Sequence, residues 1–561
     1  MFHVDREGGP NMNVLGLMGQ AGSNCHDGSA ALVRDGDLVV AVEQERLSRQ
    51  KHAPGEPPDD AARACLDAVG LTLNDIDHLA YGWNECAPGN GSRVGEFICR
   101  SDAYTTDILR KDRWEYDEPP KIHFVDHHIS HVMAVVGTER PTNAACLVAD
   151  GRGESASTTL ASYDGDVCVL ERYPVAYSLG ILFDAASYYA GLGEFGGGKL
   201  MGLSSFGTAG RTDWLSFDAE TGDFDLPVPK CESSTGVFEA WIEFFEREFF
   251  PYRVGDDEDA AYYQDFAATI QTTLEEVVLS MAEYLDLLTE SDTLVFGGGV
   301  ALNSVLNRRL HRQSPFEETL LHPASNDAGV SVGAVYELLR TLDADLAAEP
   351  GSADPYVGPS PPDSPPTTGD APDWQHLSMD RLVETVAADL LEERVVGWFR
   401  RETEFGPRAL GHRSILGNPM TRETLYELNG LKGRAPWRPL APSVLATQFE
   451  NVFETDCSSD LARYMLTTAT VSEEWRRRIP AVVHVDGTSR PQSVQESSTP
   501  VYHWLIESFA ADTGVPLLVN TSFNLGGMPI VNRPSEALKM FYGTDQMDAL
   551  VIGNHYLSPP P

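Results

Sequence analysis

Residues 122–131 read Ile-His-Phe-Val-Asp-His-His-Ile-Ser-His, and this short stretch predicts both a fold element and a site. The apolar run from Ile122 to Val125 predicts the end of a strand, and the residues after it predict the start of a helix. On a helix His127 and His131 are four residues apart, which places both imidazoles on one face, roughly 6 Å from each other. Such a pair can share one metal ion, but solvated histidines at a helix start explain an isolated HxxxH pattern equally well.

Two carboxylates elsewhere in the chain favour the metal interpretation. Asp150 closes the apolar run Ala144–Asp150, which predicts the next strand. Asp327 lies in a turn-rich segment, residues 323–334, at the entrance to a helix of small residues. Carboxylate oxygens at a strand end and in a turn would complete a ligand set that begins with two ring nitrogens.

The composition sets limits on the class of protein. A chain of 561 residues is too long for one hydrophobic core, so we expect two or three domains. No apolar run reaches the roughly 18 residues of a membrane span, and the charged N-terminal segment lacks the apolar core of a signal peptide. The eight cysteines include no CxxC pair, which favours reduced thiols and a cytoplasmic protein.

The charge is strongly acidic, with 41 lysines and arginines against 84 aspartates and glutamates and a net charge of −43. Such a surface repels nucleic acid and anionic membranes, so we expect neither as a partner. A solubility or salt-adaptation trait and the attraction of a cationic substrate both explain this charge. Composition alone does not separate these two explanations.

The chain contains an apparent internal repeat near residues 13–43 and 144–175. Each unit is predicted as a strand, a glycine-containing turn and a hairpin closed by Asp-Gly. Duplicated units of hairpin plus helix are what an actin-like ATPase fold needs, with a nucleotide cleft between them. In the turn of the first unit, His26 is the polar side chain best placed to act on a ligand, because Gly28 and Ser29 let a ligand approach the backbone.

Two glycine runs suggest nucleotide binding with unequal strength. Gly196-Gly197-Gly198-Lys199 offers bare amides and an ammonium group, but it lacks the Walker A spacing and is weak evidence. Strand Thr293–Phe296 runs into Gly297-Gly298-Gly299, with a helix predicted from about Ala301. Strand, glycines and helix start form a standard nucleotide-binding geometry.

A second domain is predicted after the stretch rich in Pro, Gly, Ser and Thr at residues 346–373. It collects cations that are scarce elsewhere, at Arg400, Arg401, Arg408, His412, Arg413, Lys432, Arg434, Arg438 and Arg490. Arginines gathered at glycine- and proline-rich turns favour a polyanion site, although surface salt bridges are the simpler alternative. A buried strand then leads into Asn520, Thr521, Ser522 and Asn524, whose side chains could contact a nucleotide or a carbonyl group.

The ordered motifs give a specific resemblance. They are CHDGSAAL, VEQERLSRQKH, HFVDHHISHVMA, VADGRGE, GKLMGLSSFG, GGGVALNSVLN, PASNDAGVSVGA, EFGPRALGHRSIL, WRPLAPSVL, SRPQSV and NTSFNLGGMPI. Over residues 12–557 the chain resembles the NodU/CmcH family of ATP-dependent O-carbamoyltransferases, and within it the tobramycin carbamoyltransferase type. The resemblance implies an α/β chain with an N-terminal actin-like (ASKHA, duplicated RNase H-like) domain at 12–345, a linker at 346–373 and a C-terminal YrdC-like α/β domain at 374–561.

The resemblance also implies a chemistry in two steps. Carbamoyl phosphate and ATP, with magnesium, give carbamoyl-adenylate in the YrdC-like domain, and an acceptor hydroxyl then attacks the carbamoyl carbon in the metal-bearing domain. A ligand set of two nitrogens and two oxygens suits Fe(II), Mn(II) or Zn(II), and the family suggests iron. His26 is expected to be the general base, and His128 is left out because it points away on a helix.

The remaining site residues are expected as follows. The metal ligands are His127, His131, Asp150 and Asp327. The adenylate pocket of the first domain is lined by Gly297, Gly298, Gly299 and Asn303, with Lys199 as a weaker candidate. Carbamoyl phosphate and ATP are bound in the second domain by Arg408, Lys432, Arg438, Arg490, Asn520, Ser522 and Asn524.

Several alternatives stay open at this point. The acceptor could be an aminoglycoside, a cephem alcohol, a macrolide or polyketide hydroxyl, or a nodulation oligosaccharide, with residues 84–119 and 211–262 expected to shape its pocket. A tRNA-modifying enzyme of the threonylcarbamoyl type would need a basic surface, which the charge of −43 opposes. A non-catalytic nucleotide-binding regulator is the third interpretation. Both a monomer and a homodimer are compatible with the sequence.

Overall fold

A computed structural model describes residues 12–19, 25–83, 108–249, 261–344, 353–362, 364–366, 373–454, 457 and 461–558. Residues 1–11 lie outside these ranges, as do residues 84–107 and 250–260 of the two segments expected to shape the acceptor pocket. The described chain is mixed α/β, as predicted. It contains two five-stranded sheets in its N-terminal half and one eight-stranded sheet in its C-terminal half.

The two N-terminal sheets have the same strand order. The first runs β3-β2-β1-β4-β5 and the second β8-β7-β6-β11-β12; in each, the first three strands are antiparallel and the last two are parallel to the central one. The repeat predicted from the two hairpins is therefore confirmed. The strands are β1 (Asn13–Met18), β2 (Ser29–Arg34), β3 (Asp37–Glu43), β4 (His78–Tyr81), β5 (Lys121–Phe124), β6 (Ala144–Ala149), β7 (Thr158–Tyr163), β8 (Val167–Tyr173), β11 (Thr293–Gly297) and β12 (Glu318–Leu320), with a small ribbon of β9 (Ser216–Phe217) and β10 (Phe224–Asp225).

The helices of this half are α1 (Gln44–Ser48), α2 (Asp59–Val69), α3 (His127–Glu139), α4 (Leu179–Tyr189), α5 (Gly197–Ser204), α6 (Ser234–Glu248), α7 (Ala261–Leu288), α8 (Ser304–Gln313) and α9 (Val330–Thr341). The helix predicted from Ala301 differs at its start, because residues Gly299–Leu302 form a 3-10 turn and Asn303 caps α8 by accepting the amide of Leu306. Within the described ranges, no helix combines the length and the apolar content needed to cross a bilayer.

Helices α3 and α9 pack against each other within one core that contains residues of both sheets, among them Val14, Cys146 and Val295. The helices cross at close range because small residues lie at the contact. A Cβ added to Gly333 of α9 would lie 1.7 Å from the Ser130 carbonyl oxygen of α3. Because Ser130 precedes His131, this close approach also fixes the height of the histidines relative to the helix that follows Asp327.

The C-terminal half is built on a mixed sheet in the order β13-β22-β21-β14-β15-β20-β16-β19. Its strands are β13 (Gln375–His376), β14 (Val396–Phe399), β15 (Arg413–Gly417), β16 (Ala441–Leu445), β19 (Gln492–Val494), β20 (Leu517–Ser522), β21 (Ala549–Ile552) and β22 (His555–Leu557), and β17 (Ala469–Thr470) and β18 (Thr488–Ser489) pair separately. Its helices are α10 (Met379–Leu391), α11 (Glu423–Leu431), α12 (Phe449–Val452), α13 (Glu473–Arg476), α14 (Pro500–Thr513) and α15 (Pro534–Tyr542).

Buried contacts join the two halves. The part of the predicted linker that the structure describes around residues 353–358 is not a free spacer, since the Val357 carbonyl accepts the amide of Ala41 at 2.9 Å and the Gly358 amide donates to the Thr403 carbonyl at 2.9 Å. A second contact between the halves is made by a buried arginine. Arg46 is 1% exposed, and its Nη2 donates to Glu43 Oε1 at 3.2 Å and to the Gly406 carbonyl at 2.6 Å.

The close crossing of α3 and α9 predicts a large effect for a very small substitution. Gly333→Ala should lower the free energy of unfolding by about 1–3 kcal/mol, because backbone atoms of α3 must move to admit the methyl group. Urea unfolding followed by circular dichroism measures the effect. Gly198→Ala is the matched control: Gly198 also lies in a helix, its added Cβ meets nothing within 4 Å, and the midpoint should stay or rise slightly. Equal midpoints for the two variants would contradict the packing described here.

Candidate functional site

The first candidate site lies where elements of both N-terminal sheets meet. His127 and His131 lie in the first turns of α3, whose N-cap Asp126 accepts the amide of Ile129 at 3.0 Å. Asp150 directly follows β6, and Asp327 lies in the 3-10 turn before α9. The structure brings all four side chains together: their ligand atoms lie within 4.8 Å of one another and every side chain is buried.

The donor atoms converge in a way that fits a divalent cation. His127 Nε2 lies 3.3 Å from Asp150 Oδ2 and 3.6 Å from Asp327 Oδ1, while His131 Nε2 lies 3.8 Å from both carboxylates. His127 Nδ1 donates to the Gly82 carbonyl at 3.2 Å, which leaves Nε2 of the neutral ring as an acceptor. His131 Nε2 is buried and has no hydrogen-bond partner, although buried polar atoms normally have one.

The charges in this cluster point the same way. Burial opposes a charged His127, but the carboxylates of Asp327 and Asp150 outweigh it and hold the pKa of His127 well above its ordinary value. Burial also opposes a charged Asp150, yet the two histidines hold the pKa of that carboxyl well below its ordinary range. The cluster therefore retains a proton at neutral pH that a metal ion would displace.

His128 points elsewhere, as expected. Its Nδ1 lies 2.7 Å from Thr159 Oγ1 on β7, on the side of α3 away from the carboxylates. Burial and the neighbouring His127 lower the pKa of His128 to about 3, so this ring stays neutral. His128 thus provides an internal comparison for its neighbours on the same helix.

The glycine run after β11 packs directly against this cluster. The Gly299 amide donates to Asp150 Oδ1 at 2.9 Å. Gly298 has φ of 89°, and a Cβ there would lie 2.3 Å from the Ala149 carbonyl, so only glycine fits. Asn303 caps α8 and exchanges side-chain hydrogen bonds with Gln271. These contacts orient the metal ligands, whereas the expected contact of Gly297, Gly298, Gly299 and Asn303 with an adenylate stays a prediction.

Lys199 lies in a different setting from the one expected for a phosphate ligand. Its side chain is exposed at the start of α5, and Nζ donates to the Leu192 carbonyl at 2.8 Å. This contact closes the preceding glycine-rich loop. The expected contact of Lys199 with an adenylate phosphate stays a prediction.

His26 lies beside a carboxylate in the turn before β2. His26 Nδ1 lies 3.1 Å from Asp27 Oδ2, and His52 Nδ1 lies 2.8 Å from the other oxygen, Asp27 Oδ1. Burial opposes a charged His26, but the hydrogen bond to Asp27 and the charges of Asp327 and Asp27 raise its pKa to about 10. The influence of Asp327 shows that His26 and the metal-ligand cluster share one electrostatic environment.

The second candidate site gathers cations in the C-terminal half. Arg408, Lys432, Arg434, Arg438 and Arg490 influence one another, and for the described residues no carboxylate forms an ion pair with Arg408, Lys432 or Arg490. Burial together with neighbouring arginine charges lowers the pKa of Arg408 to about 10 and that of Arg434 to about 9, and depresses those of Lys432 and Arg490 strongly. An anion bound here would relieve this repulsion and restore the ordinary pKa values.

Uncharged groups hold these cations in place. Lys432 Nζ donates to Asn524 Oδ1 at 2.8 Å and to Ser522 Oγ at 3.1 Å. Asn520 Nδ2 donates to the Ala409 carbonyl at 3.1 Å, next to Arg408, while its Oδ1 is buried without a partner. The predicted polar residues of β20 and the loop after it thus lie at the cation cluster.

Glu404 was missed by the sequence analysis. Its Oε1 accepts the backbone amides of Leu410, His412 and Arg413 at 2.8, 2.9 and 3.0 Å, which shapes the loop that carries Arg408. The sequence carried a signal for this role, since Glu404 begins the EFGPRALGHR motif.

Two arginines counted with the anion site belong to the scaffold instead. Arg413 is fully buried, donates to the carbonyl oxygens of Arg400 and Arg401, and lies over the ring of Phe399. Arg400 Nη1 donates to the Gly553 carbonyl at 2.8 Å. Their guanidinium groups satisfy backbone oxygens, and this is why they differ from Arg408.

The metal and cation sites share one structural element. Asp150 Oδ1 binds the amide of Gly299 at one end of the 3-10 turn, and Arg408 Nη2 lies 3.5 Å from the carbonyl of Leu302 at its other end. A 3-10 turn of this length rises only about 6 Å. The metal-ligand cluster and the cation cluster therefore contact opposite ends of the same 3-10 turn.

The geometry of the metal-ligand cluster predicts different outcomes for two identical substitutions on one helix. His131→Asn removes Nε2 and should weaken binding of Zn²⁺ or Fe²⁺ by roughly 10–100-fold or more, measured by metal analysis after dialysis and by competition with a chromogenic chelator. His128→Asn keeps a donor near Thr159 and should retain the metal. Affinity should also fall as the pH falls, because the ion competes with the proton held at His127. Retention of metal by His131→Asn, or its loss only in His128→Asn, would contradict the cluster as the ligand set.

Comparison with known proteins agrees with these two halves. Residues 18–88 and 93–336 match the family described as Carbamoyltransferase N-terminus, and residues 387–558 match Carbamoyltransferase C-terminus. The nodulation protein NolNO of Sinorhizobium fredii is 32% identical over 554 residues, which cover 95% of this chain and 79% of that protein. The 3'-hydroxymethylcephem-O-carbamoyltransferase of Amycolatopsis lactamdurans is 27% identical over 560 residues, covering 94% of this chain and 97% of that enzyme.

Among solved structures, HypF of T. kodakarensis overlaps 60% of this chain and 48% of its own, with a TM-score of 0.33 and 12% identity, and we draw nothing further from it. The two matched families together span most of the chain, and both of its halves carry the motifs that the resemblance rested on. The chain therefore belongs to the carbamoyltransferase family, the NodU/CmcH family, and is an enzyme of that family.

Proposed function

We propose that this chain is an ATP-dependent O-carbamoyltransferase that forms carbamoyl-adenylate at the cation cluster and transfers the carbamoyl group to a hydroxyl of a small natural product near His26. The observation that carries this proposal is the pairing of two sites of opposite character across one 3-10 turn: an anion site at Arg408 and a metal-ligand cluster at Asp150. We also assign the duplicated sheets to an ASKHA-type domain and the eight-stranded sheet to a YrdC-like domain.

The cation cluster suits the first step because that step assembles several anions. Carbamate, released from carbamoyl phosphate, would attack the α-phosphorus of ATP through one oxygen, and pyrophosphate would leave. Arg408, Lys432, Arg438 and Arg490 can bind the phosphate oxygens that the reactants bring together, with magnesium on the triphosphate. The unpaired Oδ1 of Asn520 can accept a hydrogen bond from the carbamoyl amino group.

His26 suits the second step because its free ring nitrogen can accept a proton. The acceptor oxygen would attack the carbamoyl carbon, the bond from that carbon to the AMP oxygen would break, and the hydroxyl proton would move to His26 Nε2. A metal ion bound by His127, His131, Asp150 and Asp327, which we propose to be Fe(II), would stabilise negative charge on the carbamoyl oxygen or orient the adenylate.

The pKa of His26 has a direct bearing on this role. At about 10 it describes a protonated ring, which cannot act as a base at neutral pH. Asp327 and Asp150 contribute to that high value, so cation binding by these carboxylates lowers the pKa of His26 toward the range that a base needs. Transfer should therefore need the metal-loaded protein and slow as the pH falls.

The alternatives are less well supported. A tRNA-modifying enzyme would need a basic surface, and the chain carries a net charge of −43. A non-catalytic regulator has no need for buried metal ligands beside a cluster of buried cations. The chemical class of the acceptor, whether aminoglycoside, cephem alcohol, polyketide or oligosaccharide, is open within this proposal.

The division of labour predicts that the two steps can be separated by mutation. His26→Asn should retain carbamoyl phosphate-dependent exchange of pyrophosphate into ATP, yet lose transfer to acceptor by about 100-fold or more. The assay panel would include a 3'-hydroxymethylcephem, an aminoglycoside and a neutral oligosaccharide, with mass spectrometry for a carbamoylated product. Loss of both activities in a folded His26→Asn protein would refute the assignment of His26 to the second step alone.

Substitution of Arg408 tests the proposed adenylate-forming site in the C-terminal half. Arg408→Ala should lower pyrophosphate exchange by roughly 100-fold or more while leaving the metal content unchanged, because it removes a charge from the anion site only. Arg401→Ala is the control, since Arg401 lies in the same segment but is exposed and paired with Glu402 at 3.2 Å. If both variants keep full exchange, the cation cluster is not the site of adenylate formation.

A further inference from the structure

A carboxylate lies between the proposed base His26 and a second histidine, His52, to which the proposed chemistry gives no role. Asp27 Oδ2 lies 3.1 Å from His26 Nδ1, and Asp27 Oδ1 lies 2.8 Å from His52 Nδ1. Each oxygen of the carboxylate thus serves one ring. With both Nδ1 atoms as donors, the Nε2 atom of His26 is the ring nitrogen left for a substrate.

An aromatic ring closes the arrangement. Phe195 stacks on His52, with ring centroids 4.6 Å apart and planes at 22°, and meets His26 edge to face at 5.0 Å. Phe195 lies between α4 and α5, far in sequence from both histidines. Packing from this side restricts rotation of the two rings and keeps them against Asp27.

The backbone here is held in unusual conformations. Asp27, His52 and Phe195 have φ of 53°, 65° and 55°, in the left-handed region that residues other than glycine rarely adopt. Such conformations cost about 1–3 kcal/mol each and persist where the surroundings enforce them, typically at functional sites. Three such residues are in contact with one another here. The surrounding structure therefore holds these side chains in position at the cost of backbone strain.

Hydrogen bonds to Asp27 and Glu45 hold the backbone of His52 in place. The Asp27 amide donates to the His52 carbonyl at 2.7 Å, and the His52 amide donates to Glu45 Oε2 at 2.8 Å. Lys51 Nζ binds both oxygens of Glu45 at 2.8 and 2.9 Å. Lys51 thus neutralises Glu45, which in turn holds the backbone of His52.

We propose that His52 is a positioning residue of the carbamoyl-transfer step: by holding one oxygen of Asp27, it fixes the other oxygen on His26 Nδ1 and so aims His26 Nε2 at the acceptor hydroxyl. This inference rests on the proposed role of His26 as the base. Without His52 the Asp27 carboxylate can rotate about its side-chain torsions, and the ring of His26 loses its fixed tautomer and direction.

Two replacements of His52 separate positioning from folding. His52→Gly removes the ring and tolerates the positive φ, so backbone strain does not confuse the result. His52→Asn also tolerates this φ and places an amide donor near the position of Nδ1. His376→Gly is the control, because His376 is an exposed residue at the edge of the C-terminal sheet.

The expected result is a loss in turnover that the conservative variant restores. His52→Gly should lower kcat for transfer to an acceptor of the panel by roughly 10–100-fold with little change in KM, and pyrophosphate exchange should stay at the wild-type rate. His52→Asn should recover most of the loss. Transfer by His52→Gly at the wild-type rate, or equal losses in both variants, would overturn the proposal.

A second readout does not need an acceptor. In zinc-loaded protein labelled with nitrogen-15 histidine, the ring signals of His26, identified by their absence in His26→Asn, should report the Nδ1–H form. His52→Gly should shift them toward a mixture of tautomers, and His52→Asn should not. If the wild-type enzyme carbamoylates no acceptor, the proposed function fails, whereas unchanged His26 signals in His52→Gly overturn the positioning role by themselves.

Discussion

Groups of like charge lie close together in two places in this chain, and the surrounding hydrogen bonds and packing hold them there. At the first, Asp150 and Asp327 lie against two buried imidazoles. At the second, Arg408 and its neighbours depress one another's pKa values. Burying groups of like charge together is costly, so we propose that a cation offsets this cost at the first cluster and a polyanion at the second.

Hydrogen bonds to the backbone and close backbone packing hold these groups in place. The Gly299 amide binds Asp150, the close approach of Gly333 to Ser130 sets the histidine helix, and three amides collected by Glu404 shape the Arg408 loop. Arg46 then links the halves, because it binds both Glu43 and the carbonyl of Gly406, two residues before Arg408. The segment that carries His52 follows directly on the same helix, α1.

The sequence predicted the elements and the metal ligands better than it predicted their partners. Periodicity placed His127 and His131 on one helix face, and an apolar run and a turn-rich segment drew attention to Asp150 and Asp327, although 200 positions separate His127 from Asp327. The arginines gathered at glycine- and proline-rich turns predicted an anion site, and the family resemblance assigned its residues. Composition alone could not distinguish Arg408 from Arg413, since that difference depends on whether a guanidinium finds backbone carbonyls in three dimensions. For the same reason the Asp27–His52 contact and the role of Glu404 were missed.

The central claim is that the carbamoyl group passes through an adenylate between the two sites. Oxygen-18 in the carbamoyl oxygens of carbamoyl phosphate tests it most directly. If a carbamate oxygen attacks the α-phosphorus and the acceptor later attacks the carbamoyl carbon, the bridging oxygen stays with the nucleotide. The account predicts AMP that carries one oxygen-18 atom, formed together with the carbamoylated acceptor. Carbamoylated acceptor formed alongside unlabelled AMP would show that the carbamoyl group never bonds to the nucleotide, and would contradict the account.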